Sequence, residues 1–391
     1  MANQRMRGLG LGLTLGLWPI VAAAQYLVVG NDEKISWDDK GNAVIAAPGK
    51  DTVSILDIKN GAAPKILVSL PLQNSVFGPP VNLAITPDNA LALVANSVAA
   101  TQDGAVWKTP PDTKVYVIDL TAKPPAQIGT VEVGKQPSGM GLNKAGDMAL
   151  VTNRADNSVS VLSIKGKDVK VTDTVALGEG GPSAVAFTPD GKRALVTKPT
   201  VNKVGVLKID GGKVTYDKAW DIGVGVFPYN LVIAGGGRIA VTSDNGAGGA
   251  SDGSVDTLSI IDLQGEHPHV IDKAVVDEAP EGIAVSPKGD LVVAVLLNAS
   301  AGIAKDAWFK RPRGRLAVFR VEGTKLVRTA YIDVGKLPEG AAFSPDGRYF
   351  YVGNFVDHNM EIFKVDGGKL ISAGKPLALP GAPASIRSSA E

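Results

Sequence analysis

Three short runs of alternating polar and apolar residues fill positions 182–209. SAVAF, RALVT and KVGVLKI are separated by the turn TPDG and by a polar bend. Period-two alternation bounded by Pro and Gly predicts half-buried β-strands. In the turn, Pro presets φ and Gly accepts a left-handed backbone. The same phrase returns at residues 137–164 and 338–365, and longer copies begin at Pro80, Pro228 and Pro280. Pro137, Pro182 and Pro228 stand 45 and 46 residues apart. One small sheet per repeat at that period predicts a β-propeller.

The two ends of the chain complete the count. QYLVVGN, from Gln25, matches the second strand of a repeat, with no first strand before it. Residues 383–387, PASIR, read as that missing strand. Repeats therefore begin at Pro383 (continuing at Tyr26), Pro80, Pro137, Pro182, Pro228, Pro280 and Pro338. This predicts an all-β, seven-bladed propeller of four-stranded antiparallel blades over residues 25–391, with strands A to D running outward. The C-terminal strand pairs into the first blade, closing the ring and removing open edges. Four blades carry insertions between strands B and C, at 32–49, 98–113, 244–254 and 298–313. B–C and D–A connections open on one face, so these loops are expected to crowd one mouth of the central channel, where function on a rigid scaffold usually resides.

Composition narrows the chemistry. Apolar residues make up 45% of the 391, enough for a substantial core, and the net charge of +1 gives no general attraction to nucleic acid or anionic membrane. The absence of cysteine excludes disulfides, thiolate metal sites, covalent haem, Fe–S clusters and a Cys nucleophile. Residues 1–24 read as a signal peptide: Arg5 and Arg7, an apolar run from Leu9 to Val21, then Ala22, Ala23 and Ala24. The run is shorter than a membrane span needs. The expected product is a periplasmic or secreted monomer with no span after cleavage.

LVTNRADNSVSVLSI and FYVGNFVDHNMEIFKV resemble the YVTN-type propeller repeat, as do AFTPDG and AFSPDG. The resemblance covers nearly the whole chain after residue 24. It implies a seven-bladed propeller like those of lactonase-like and YncE-like exported proteins. Related propellers bind ligands, cradle redox cofactors, hydrolyse lactones or hold partners, so the resemblance specifies fold more than function.

The candidate chemistry lies at the mouth. Glu281 and Glu339 follow the Pro that opens strand A, a position expected to face the channel. Asn31, Asn96, Asn153 and Asn354 close strand B, with Lys198 and Asp244 in the equivalent place of two other blades. A ring of these carboxylate and amide oxygens would suit Ca²⁺ or another divalent ion, with Glu281 and Glu339 as candidate ligands. Each Asn equally suits a turn. His358, beside Asp357, is a candidate base or ligand, or simply an exposed loop residue. His267 and His269 belong to a turn on the opposite face. Lys310, Arg311 and Arg313, with Trp308 nearby and Trp37 and Trp107 in other insertions, offer a cationic, aromatic lip for an anionic ligand. Single-stranded nucleic acid is a less favoured occupant.

No P-loop, HExxH or dinucleotide fingerprint is present. The favoured expectation is a binding scaffold for a small molecule or periplasmic protein, without catalysis of its own. The alternatives are a lactonase-like hydrolase, with or without a divalent metal, and the propeller subunit of a periplasmic dehydrogenase.

Overall fold

The computed structural model describes residues 25–248 and 250–389; the expected signal peptide lies outside the described residues. Seven antiparallel blades form a ring. Blade I takes its inner strand from Pro383–Ser388, which pairs with Tyr26–Asn31 from Leu27↔Ser388 to Asn31↔Pro383. The ring thus closes as the chain ends predict. Leu27, Val29, Tyr351, Met360 and Ile386 bury the seam between blades VII and I. Each such side chain contributes about 1.5–3 kcal/mol through apolar burial.

The turns follow their chemistry. In TPDN, Thr86 Oγ1 donates to Asp88 Oδ1 (2.6 Å) and accepts the Leu91 N–H (3.0 Å), while Asn89 takes φ 58°. TPDG and SPDG repeat the arrangement with Gly191 and Gly347 at positive φ, while in SPKG Ser286 donates instead to Asp290, past Gly289 at positive φ. Blade V replaces it with Gly235–Gly236–Gly237, all at positive φ, and a side chain at Gly237 would strike Pro189 of blade IV.

One expectation needs correction. The alternating runs predict half-buried strands, yet strand B is buried along its length, as in Leu291–Leu296 and Leu91–Ala95. The inner strands are sandwiched between neighbouring blades, so both faces meet apolar surface. The outer strands, such as Asp168–Ala176, remain largely exposed. Alternation here separates two interfaces rather than core from water.

The four insertions gather on one face. Those of blades I and II contain the hairpins Ile35–Trp37/Ala43–Ile45 and Thr101–Asp103/Val106–Lys108, which approach one another. The blade I insertion also bridges that of blade VI through Lys40 and Ala304 and a Lys305–Asp39 ion pair of 2.7 Å. Phe309 of blade VI in turn packs beside Gly253 of blade V. Buried Lys34, 2.7 Å from Asp51 Oδ2 and 3.2 Å from Asp32, anchors the base of the first insertion. Among the described residues, no helix is long and apolar enough to cross a membrane.

Candidate functional site at the channel mouth

Two positions of every repeat are brought to the mouth. One is the residue after the strand-A proline; the other is the residue after the end of strand B. In four blades a non-glycine residue before that proline adopts a left-handed backbone: Gln136 (φ 59°), Phe227 (53°), Ala279 (53°) and Leu337 (48°). Such conformations cost on the order of 1–3 kcal/mol and persist where the surroundings hold them. The restraint is visible here. The carbonyls of these residues accept the N–H of Arg154, Asn245, Leu297 and Phe355, the residues that follow strand B.

These two positions place Arg154, Tyr229, Glu281 and Glu339 in the wall of one cavity of about 390 Å³ on the propeller axis. Arg154 reaches from blade III to blade V, where its Nη1 donates to the Tyr229 hydroxyl (3.3 Å) and its guanidinium lies 5.4 Å from the Tyr229 ring centre. Tyr229, Glu281 and Glu339 are 5%, 6% and 2% exposed, enclosed almost entirely by the scaffold. Burial pushes the Glu281 carboxyl up to about 8 against the opposing pull of Arg154. Burial, then the neighbouring Glu281, raises Glu339 well above the carboxylate range. Burial also raises the Tyr229 hydroxyl. Glu339 Oε2 is buried without a hydrogen-bond partner among the described residues. The cavity therefore presents carboxyl donors and acceptors, a phenol and one fixed cation. Its apolar side is built by Trp37, Phe77, Leu297 and Leu337.

Glu281 and Glu339 stand where the sequence places them, whereas the strand-B polar residues do not line this cavity. Asn31, Asn96, Asn153, Asn354, Lys198 and Asp244 are at most 1% exposed and bond side chains of the neighbouring strand or connector, although the four Asn Oδ1 atoms have no partner among the described residues. Asn153 Nδ2 donates to Ser158 and Ser160 (both 2.9 Å), and Ser160 Oγ accepts the Gly134 N–H (3.4 Å). Asp244 repeats the cell with Ser259 (2.6 Å) and Gly225, as Asn354 does with Glu361 (3.1 Å) and Gly335. Asn31 bonds Thr52 and Ser54, and Asn96 bonds Asp112. Lys198 pairs with Asp221 (2.9 Å) and Tyr216 (2.8 Å). The reason is geometric: strand B lies one strand away from the axis, and its last residue faces the start of strand C.

The oxygen ring expected for Ca²⁺ is therefore not assembled. No group of three or more His, Cys, Asp or Glu suited to a metal occurs among the described residues.

The remaining candidates divide. His358, Lys310, Arg311 and Trp37 line a second cavity of about 570 Å³ between the insertions of blades I and VI. His358 is half exposed, its Nδ1 3.5 Å from Glu33. Asp357 does not orient it, because its carboxylate accepts the Lys336 N–H (2.7 Å). Trp37 packs edge-on against Phe355 and pins its loop; Trp107 is half-buried on its hairpin. Trp308 is 81% exposed, and Arg313 is exposed outside both cavities. His267 stacks on Trp220 at the C–D side, away from the mouth. Arg154 and Tyr229 escape a reading of the sequence alone, although a signal exists: Tyr229 in FPYN occupies the place of Glu281 in APEG, and Arg154 directly follows Asn153.

Comparisons place the fold. No family model matches the chain, and no curated protein is detectably similar in sequence. A putative 6-phosphogluconolactonase from Bacteroides fragilis superposes with TM-score 0.69 at 17% identity, covering 94% of this chain and 99% of that one. The periplasmic gluconolactonase PpgL of Pseudomonas aeruginosa gives 0.67 at 18%, covering 93% and 98%. Dihydro-heme d1 dehydrogenase NirN gives 0.55 at 14%, covering 94% of this chain and 75% of that one. At these identities the likeness is one of architecture: the chain is a seven-bladed propeller whose structural neighbours include 6-phosphogluconolactonase-like propellers.

Proposed function

We propose that the protein binds a small, oxygen-rich organic acid or its lactone in the axial cavity at the mouth. The observation that carries this reading is the convergence of Arg154, Tyr229, Glu281 and Glu339 on one enclosed space of about 390 Å³. Arg154 would engage a carboxylate or an ester carbonyl, and the neutral carboxyls and phenol would bond hydroxyl groups. Trp37 and Phe77 would cover the apolar side. Arg5, Arg7 and the apolar run ending in Ala22–Ala24 support export, so the ligand would be met outside the cytoplasm. A mature protein beginning at Gln25 is the corresponding expectation for N-terminal sequencing.

A second reading, hydrolysis of the lactone, is favoured by the paired carboxyls and by the lactonase activities for which two of the structural neighbours are named. Once one carboxyl of the pair has ionised, as pH approaches about 8, that carboxylate would take a proton from water as the water oxygen bonds the carbonyl carbon. The protonated partner would give its proton to the ring oxygen as the C–O bond breaks. Arg154 would stabilise the tetrahedral oxyanion.

Calorimetry with gluconate and glucono-1,5-lactone, alongside acid release at constant pH, tests both readings. Saturable binding lost in Arg154→Gln supports the site, and turnover lost in Glu339→Gln with binding retained supports the hydrolase. If neither compound binds nor reacts, a small-molecule role for this cavity is overturned in favour of a partner-holding scaffold.

A further inference from the structure

The second cavity at the mouth, between the insertions of blades I and VI, is divided by charge. Its space of about 570 Å³ shares Trp37, Ala301 and Gly302 with the axial cavity but none of Arg154, Tyr229, Glu281 and Glu339. Its acids, Asp32, Glu33, Asp38 and Asp39, all belong to blade I. Its Lys and Arg residues, Lys305, Lys310, Arg311 and Lys336, come from the blade VI insertion and the connector to blade VII. Where the two walls meet, they pair: Lys305 lies 2.7 Å from Asp39, and a side chain on Gly41 would strike the backbone of Ile303 and Ala304. Elsewhere they stand apart. Asp32 is taken by Lys34 (3.2 Å). Glu33 Oε1 accepts the Ala382 N–H (2.7 Å) and lies 3.5 Å from His358 Nδ1, while Asp38 accepts N–H groups of its own turn. Opposite them, the Lys310 and Lys336 side chains make no ion pair or hydrogen bond among the described residues. Arg311 faces Glu278, outside this wall, as well as the cavity. The buried Ser300 hydroxyl donates to Leu297 O (2.6 Å) and accepts the Leu337 N–H (2.9 Å), tying the blade VI insertion to the connector that carries Lys336.

We propose that this cavity binds a small zwitterion whose two charges stand apart, as in a short peptide, with its ammonium on Glu33 and Asp38 and its carboxylate on Lys310, Arg311 and Lys336. Opposite charges fixed on facing walls beyond contact distance cannot satisfy one another, and a ligand of matching polarity bridges them. A simple anion or cation meets attraction from one wall and repulsion from the other. The Trp37 indole N–H, in no hydrogen bond among the described residues, offers a donor to a peptide carbonyl. The site is independent of the ligand proposed for the axial cavity.

The test is calorimetry at pH 7 with triglycine, with N-acetyl-triglycine, which lacks the ammonium, and with triglycinamide, which lacks the carboxylate. Ionic strength is kept low, because exposed charges are screened beyond about 10 Å at 0.1 M salt. Triglycine is expected to bind roughly tenfold or more tightly than either analogue, the worth of a charged hydrogen bond. Glu33→Gln should weaken triglycine about fivefold without weakening N-acetyl-triglycine. Lys310→Gln combined with Lys336→Gln should weaken triglycine by about fivefold or more without weakening triglycinamide. Arg154→Gln in the axial cavity should change none of these affinities. No triglycine binding, an analogue that binds as tightly as triglycine, or unchanged affinity in either wall's variant overturns the proposal. Loss of triglycine binding in Arg154→Gln also overturns it, by placing the peptide in the axial cavity. Should Glu33→Gln fail to fold, the exposed lysine pair decides by itself on the same criterion.

Discussion

Two kinds of polar residue recur in most of the blades, and they do opposite things. The residue that ends strand B is sealed inside its blade and ties strand B to strand C and to the D–A connector. The residue that follows the strand-A proline opens on the axis. Asn153 and Glu339 are both almost fully buried and each keeps one side-chain oxygen unpartnered, yet Asn153 donates to Ser158 and Ser160 inside its blade, whereas Glu339 stands in the cavity wall. Repetition therefore identifies a polar position as important to the propeller without saying whether it serves the scaffold or the site. What separates them is one strand's distance from the axis.

Lys198 separates the two roles most forcefully. If strand-B ends are structural, Lys198→Ala strands the buried Asp221 carboxylate and destabilises the protein by about 3–5 kcal/mol in urea unfolding. Gluconate binding at the mouth should be unchanged in the molecules that remain folded. Loss of binding at full stability would assign Lys198 to the site.

The axial carboxyls come next, and they work through pH. Burial raises both, Glu281 from 4.5 to about 8. The folded state then keeps protons that the unfolded chain releases. The contribution is complete below about pH 4.5 and is lost as pH rises through about 8. Each tenfold change in proton affinity between the folded and unfolded chain is worth about 1.4 kcal/mol, which puts Glu281 alone on the order of a few kcal/mol. Melting curves should show stability falling across that window, and Glu281→Gln should flatten the fall, gaining at pH 9 relative to wild type but not at pH 5. A profile identical to wild type would mean that water reaches the pair.

Arg154 carries the site side. Arg154→Gln is expected to weaken gluconate binding roughly ten- to hundredfold, as the loss of charge-assisted hydrogen bonds implies. Little change in melting temperature should accompany it. The smallest effect belongs to Asn153→Ala, which removes two neutral hydrogen bonds and should cost about 1–2 kcal/mol, read as a shift in denaturation midpoint with ligand affinity intact.

Much of this was legible in the chain. The blade count, the shared first blade, the turn chemistry at Thr86–Asn89 and the channel-facing placement of Glu281 and Glu339 all follow from register within a repeat. The burial of strand B on both faces did not, because alternation describes two sides of a sheet and not what each side meets. The role of the strand-B ends was also hidden, since Ser160, Ser259 and Glu361, which bond Asn153, Asp244 and Asn354, lie on the next strand and become partners only through pairing. Arg154 and Tyr229 were visible as departures from the repeat, but nothing local joins blade III to blade V.

The sequence by itself determined the repeat, its turns and its closure, because these rest on local backbone preference and on the period of apolar burial. Only the tertiary structure decided which polar residues share a space. A propeller brings to one axis residues tens or hundreds of positions apart, and whether a side chain reaches that axis depends on the strand that carries it and on the connector that turns it inward. The left-handed Gln136, whose carbonyl holds Arg154 over the channel, is such a connector.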